Sequence, residues 1–118
     1  DARPGAEQIG GVTLVAAAIP NADRKLLGQL ADQLAARLQP AAVVLGAAED
    51  GKVALVCKVT DDAVSAGAKA GAIISAVAKA CGGGGGGRPN YAEGAGSRPE
   101  QLAEALKEAA ETLRGELE

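Results

Sequence analysis

Six consecutive glycines, Gly82 to Gly87, followed directly by Arg88 and Pro89, restrict this chain more than any other stretch. A helix cannot run through them, because each glycine in a helix interior costs about 1 kcal/mol relative to alanine. No ordinary loop needs so many residues without a Cβ. The run therefore ends a helix at Gly82 and brings the backbone close to whatever faces it. Two readings follow. Successive amides can form an anion-binding concavity for a phosphate or ribose, with Arg88 adding a charge that is always present; or the glycines let the next segment pack tightly against a sheet. The run contains a Gly-x-Gly-x-x-Gly spacing, but a dinucleotide fingerprint needs a strand before the glycines and a helix after them. Here a helix precedes and Arg-Pro follows. A P-loop is excluded as well, since no Lys-Ser or Lys-Thr closes the run.

The rest of the chain must supply the core, and it has unusually small side chains to do so. Phe, Trp and Met are absent and Tyr91 is the one aromatic. Packing through alanine faces brings elements close together but buries less area per residue. Val12 to Ala18 is a short apolar run that reads as a buried strand. From Asn21 the period becomes helical: Leu27, Leu30, Leu34 and Leu38, with Ala31 and Ala35, share one stripe, Asn21 or Asp23 caps the start, and Pro40 stops it. Ala42 to Gly46 reads as a second strand, and Asp50-Gly51 as a hairpin turn into a third, Lys52 to Val59. The strand-helix-strand unit requires a parallel pair with a right-handed crossover, so the sheet is mixed. Ala70, Ile73, Ile74, Val77, Ala78 and Cys81 form a second helical stripe, thin at its start because of Gly67 and Gly71. Ser97, Pro99 and Glu100 suggest a capping box before a last helix carrying Leu102, Leu106, Ala109, Leu113 and Leu117.

These elements predict a single α/β domain: a small mixed sheet of three or four strands, the fourth within or just after Asn90 to Gly94, packed with helices near 21–39, 67–81 and 98–115. Residues 1–10 lack apolar periodicity and read as a linker or the end of a preceding region, leaving 11–118 as the domain. No apolar stretch is long enough to span a bilayer. Cys57 and Cys81 sit in apolar segments and read as free, buried thiols of a reducing compartment. With no histidine and two cysteines, most zinc and triad chemistry is excluded. Asp61-Asp62 is too little for a metal-dependent phosphodiesterase and reads as loop solvation or capping. No metal or cofactor is expected in this domain.

The net charge of −3 argues against a nucleic-acid partner until it is resolved along the chain. Residues 1–51 carry −2, residues 52–99 carry +3 and residues 100–118 carry −4, so the basic part surrounds the glycines. Lys69 and Lys79 can line a basic surface with Arg88, Arg98 and Lys58, or form an ordinary solvated helix face. Tyr91 can stack on an exposed base or serve as a sheet residue. The leucine stripe of the last helix covers its own sheet or forms an oligomer seam.

The second helix, the glycine run and Arg88-Pro89 together resemble the signature near the C-terminus of alanyl-tRNA synthetases. Gly11-Val12, the leucine-rich helix, Val43-Val44-Leu45-Gly46, Asp50-Gly51-Lys52-Val53 and the closing helix extend the resemblance over about residues 9–118. The same domain type accompanies DHH-family phosphodiesterases and exonucleases, where it helps bind the nucleic-acid or nucleotide substrate. After Arg-Pro the synthetases usually continue Asp-Met-Ala-Gln, whereas this chain has Asn90, Tyr91, Ala92 and Glu93, so that only Ala92 matches there, while the glycine run and Arg88-Pro89 carry over directly. The resemblance implies a non-catalytic part of an alanine–tRNA ligase that holds tRNA, expected to be alanine-specific, at its elbow. Aminoacylation and editing then belong to other domains of the parent, an upstream segment supplies any homodimer contact, and the compartment is the cytoplasm or an organelle. The nucleic-acid-binding residues expected on these grounds are Gly82, Gly83, Gly84, Gly85, Gly86, Gly87, Arg88, Pro89, Asn90, Tyr91, Lys69 and Lys79. Two other functions fit the residues: the substrate-binding half of a DHH-type phosphodiesterase, and a protein-interaction or dimerisation module.

Overall fold

Val12 to Ala18 forms a strand, β2, and the helix after it, α1 at Arg24–Leu38, begins where the Asp23 carboxylate accepts the Leu26 amide at 2.8 Å. The structure is a computed structural model and describes residues 6–117. After α1 the chain enters β3 (Ala41–Glu49), parallel to β2, and turns through Asp50 and Gly51 into the antiparallel β4 (Lys52–Val59). The predicted parallel pair, hairpin and mixed sheet are therefore present. A one-turn helix, α2 (Asp61–Ser65), leads to α3 (Ala70–Ala80), and β6 (Tyr91–Gly96) is the predicted fourth strand, paired with β4. The last helix, α4, spans Leu102–Leu117.

Among the described residues the sheet has six strands rather than three or four: Ala6–Ile9 (β1) and Gly84–Gly87 (β5) are added, in the order β1-β2-β3-β4-β6-β5. Both additions are edge strands. β1 (Ala6–Ile9) pairs antiparallel with β2 through a two-residue turn at Gly10 and Gly11, which have φ of +55° and +83°. These four residues lie in the stretch read as aperiodic linker; residues 1–5 of that stretch lie outside the described residues. β5 (Gly84–Gly87) is the glycine run itself, paired antiparallel with β6.

Helices cover both faces. Leu27, Ala31 and Ala35 of α1 pack on Val15, Val43, Leu45 and Val56, while α3 and α4 bury Leu14, Val44, Leu55, Cys57 and Val59 on the other face. The helix line in contact with the sheet is Leu27-Ala31-Ala35, with Leu30, Leu34 and Leu38 partly buried beside it. Alanine at the centre of that line lets the axis approach the strands. β3 is buried on both sides from Ala41 to Ala47. A Cα radius of gyration of 12.4 Å is no larger than the roughly 13 Å expected for a compact domain of about 100 residues.

The start of α4 departs from the sequence reading. The capping box does not form: Pro99–Gln101 make a 3₁₀ turn, the Ser97 hydroxyl donates to the Gly82 carbonyl at 3.1 Å, and the Ser97 and Arg98 amides both donate to the Cys81 carbonyl. The end of α3 competes for Ser97 and wins, which ties the entry of α4 to the glycine run. Cys57 and Cys81 are free and buried, and burial pushes both thiols up, so neither presents a thiolate.

Candidate nucleic-acid interface

The glycine run begins as a helix cap. Gly82, at φ +77°, follows Cys81, the C-cap of α3; its amide donates to the Lys79 carbonyl at 3.0 Å, and the Gly83 amide to the Ala78 carbonyl at 2.8 Å. This is a Schellman motif, and it explains the first glycine by the left-handed conformation that only glycine adopts cheaply.

From Gly84 the chain is extended, which changes the chemistry expected of its amides. The Arg88 amide donates to the Tyr91 carbonyl at 2.8 Å, and in an antiparallel ladder the bonded pairs then fall at every second residue. Gly84 and Gly86 are bonded to β6, whereas the polar groups of Gly85 and Gly87 face the free edge. The amides alternate and do not converge as a nest would require.

The two sets of glycines also differ in what surrounds them. A Cβ on Gly85 would stand 2.6 Å from the Glu93 carbonyl oxygen, one on Gly87 2.6 Å from that of Tyr91, and one on Gly83 would collide with that of Ala95. A Cβ on Gly84 or Gly86 would meet nothing within 4 Å among the described residues. The tight-packing reading thus accounts for the odd positions, while the even positions present bare backbone to solvent. Behind the strand lies α3, whose Gly71 is so close that a Cβ there would be 3.0 Å from the Gly87 carbonyl.

The predicted site residues fall at the two ends of this strand. Arg88 and Pro89 form an exposed turn held to α3, since the Ala70 amide donates to the Pro89 carbonyl at 2.8 Å, which brings Lys69 to the same end. Lys79 and Arg98 lie at the other end, where a Cβ on Gly82 would contact the Arg98 side chain at 3.0 Å. Lys69 and Lys79 are separated by ten residues of helical rise, about 15 Å. Lys58 does not join them: it lies on the α1 side of the sheet with its ammonium 4.0 Å from Asp32.

Asn90 and Tyr91 are half-buried. Tyr91 is a sheet residue: its ring packs with the α1 cluster and its hydroxyl donates to Glu93 Oε2 at 2.8 Å. Burial, then the bond to Glu93, pushes the phenol up to about 12, so Tyr91 stays a donor. Glu93 Oε1 takes Arg24 Nη1 at 3.3 Å, and Arg24 Nη2 donates to the Gly94 carbonyl at 2.8 Å. Sequence reasoning missed Arg24, which has no local signal because its partners lie 69 and 70 positions away.

Lys69 has a second environment. Its backbone amide donates at 2.9 Å to Glu116 Oε1, and Glu116 Oε2 is buried without a hydrogen-bond partner among the described residues. Burial raises the Glu116 pKa above its ordinary 4.5, while the Lys69 amide and ammonium act against the rise. An acid whose folded pKa is raised holds its proton longer in the folded state. Its contribution to stability therefore falls as pH rises from 4.5 through the raised value. Glu116→Gln keeps an oxygen for the Lys69 amide and removes the charge. It is expected to melt higher than the parent at neutral pH, with the difference shrinking towards pH 4.5, as followed by thermal denaturation across pH.

The geometry is that of a mixed sheet ending in a bare glycine edge with cations at its corners, and comparison with known proteins places it in a class. The sequence matches the DHHA1 domain over residues 11–115, so the chain belongs to that family. Its fold superposes on the C-Ala domain of Aquifex aeolicus alanyl-tRNA synthetase with a TM-score of 0.84 and 32% identity, covering 93% of this chain and 98% of that one. Within the family it is of the C-Ala type, the C-terminal domain of alanyl-tRNA synthetases. It is 44% identical to the alanine–tRNA ligase of Trichodesmium erythraeum over 108 residues and 45% identical to that of Ralstonia nicotianae over 101 residues. These matches cover 92% and 86% of the chain but only 12% and 11% of the relatives, so the chain spans about an eighth of their length. Among the described residues no helix is long and apolar enough to cross a membrane.

Proposed function

We propose that this domain grips tRNA at its elbow within an alanine–tRNA ligase, and that aminoacylation and editing are carried out by other domains of that enzyme. The observation that carries the reading is the β5 edge, where backbone without side chains is bracketed by Lys69 and Arg88 at one end and Lys79 and Arg98 at the other. The C-Ala likeness supports it. Bare backbone admits close approach of a sugar-phosphate chain, and cations about 15 Å apart, set by helical rise, span more than one phosphate. Such a grip positions by shape and charge, with no catalytic step and no cofactor in this domain. The tRNA is expected to be alanine-specific through the parent enzyme.

The test is binding of the chain to tRNA at about 50 and 200 mM salt, with duplex DNA as competitor. Affinity is expected to fall with salt and to favour tRNA over the duplex. Arg88→Ala, whose side chain is exposed and leaves the fold intact, should weaken binding at low salt and reduce the slope of log affinity against log salt by about 1. No tRNA binding at low salt would remove the reading.

A further inference from the structure

The groove beside β5 contains an acid, which a surface that only neutralises phosphate would not place there. It is lined by Gly86, Gly87, Arg88, Asn90, Tyr91 and Glu93 and encloses about 440 Å³. Residues directly opposite in an antiparallel pair share a face, so Gly84, Gly86 and Arg88 lie on the same side as Ala95, Glu93 and Tyr91. That side is open above Gly84 and Gly86. A flat ring can rest on the exposed peptide planes there with the Glu93 carboxylate at its edge.

We infer that Glu93 reads the hydrogen-bond-donor edge of an unpaired guanine lying on Gly84–Gly86, which would give the RNA grip a base preference. The inference rests on the RNA-binding reading above. An ionised carboxylate has about four acceptor positions and no donor. Arg24 and Tyr91 occupy one position on each oxygen, which fixes the carboxylate plane and leaves one on each oxygen free. With the Glu93 side chain 41% exposed, those positions are accessible from the groove. A phosphate has only acceptors and carries the same charge, so it is turned away from Glu93 towards Arg88. Two adjacent donors suit the two oxygens, and guanine offers them in its N1–H and 2-amino group. Adenine offers an amino group beside an acceptor, and uracil a single N–H between two carbonyls.

The experiment measures binding of short uridine-rich RNAs carrying one central guanine, adenine or inosine, at low salt, to the parent chain, Glu93→Gln and Tyr91→Phe. The guanine RNA is expected to bind about tenfold more tightly than the adenine RNA, with inosine, which lacks the 2-amino group, in between. Glu93→Gln should bring the guanine-to-adenine ratio close to one while the adenine RNA binds at least as well as before. Tyr91→Phe, which frees one oxygen, should lower the ratio partway. Equal binding of guanine and adenine RNAs by the parent, as a contact to ribose alone would give, or a ratio that survives Glu93→Gln, overturns the inference and leaves the RNA grip standing. Failure of every RNA to bind overturns both.

Discussion

Gly85→Ala should destabilise the domain by about 1–3 kcal/mol, the usual cost of forcing an atom into a packed site, whereas Gly86→Ala, one residue away in the same run, should be neutral or slightly stabilising. The two substitutions are chemically identical and both positions are exposed, so composition cannot separate them. The sheet does. At Gly85 the new methyl would lie 2.6 Å from both the Glu93 carbonyl oxygen and the Gly94 Cα, which are backbone atoms of β6 and cannot swing aside. β6 is paired on its other side to β4, so the strand that must yield is β5. At Gly86 the methyl enters open space, and an extended alanine loses less backbone entropy than glycine on folding. Urea denaturation of the two variants reads the difference directly, and equal midpoints would mean that the run is not a strand in this register. Hydrogen exchange adds a local reading, because displacement of β5 should expose the Gly84 and Gly86 amides before the amides of β4.

Gly85 also shows where legibility in the sequence ended. α1, α3 and α4 could be read from an apolar period of about three and a half and β4 from a period of two, while β2 and β3 are continuous apolar runs bounded by turn signals. β5 has no side chains and therefore no period; it is a strand because β6 offers it an edge and α3 a floor narrowed by Gly71. β1 is short, and although Gly10-Gly11 is a hairpin dipeptide, the four residues before it carry no alternation that would mark a strand. The capping box failed for a related reason. Ser97 faced a local choice between its own helix and the end of α3, and the tertiary partner prevailed. For the interface, the sequence located the glycines and Arg88, but it could not separate glycines needed for packing from those left bare. Nor could it bring Arg24 to Glu93, because that contact exists only once α1 lies across the sheet.

Leu113→Ala should cost about 2–5 kcal/mol, a large share of the 5–15 kcal/mol that holds a typical domain. Leu113 is fully buried, and it belongs to the core cluster between the sheet, α3 and α4, where α4 buries Leu102, Ala105, Leu106, Ala109 and Leu113. Leu26→Ala on α1, at 39% exposure, should change stability by no more than about 0.5 kcal/mol and serves as the control. The difference should be plain in chemical denaturation. It should also reach the interface, although Leu113 is not among the interface residues, because α3 carries both Lys69 and Lys79 and supports β5 at Gly71. The Leu113→Ala chain is expected to bind tRNA normally where it is still folded and to lose binding in step with unfolding as denaturant is added, while Arg88→Ala loses binding with its fold intact. Loss of binding by Leu113→Ala well below its unfolding transition would instead mean that α4 contacts the RNA itself.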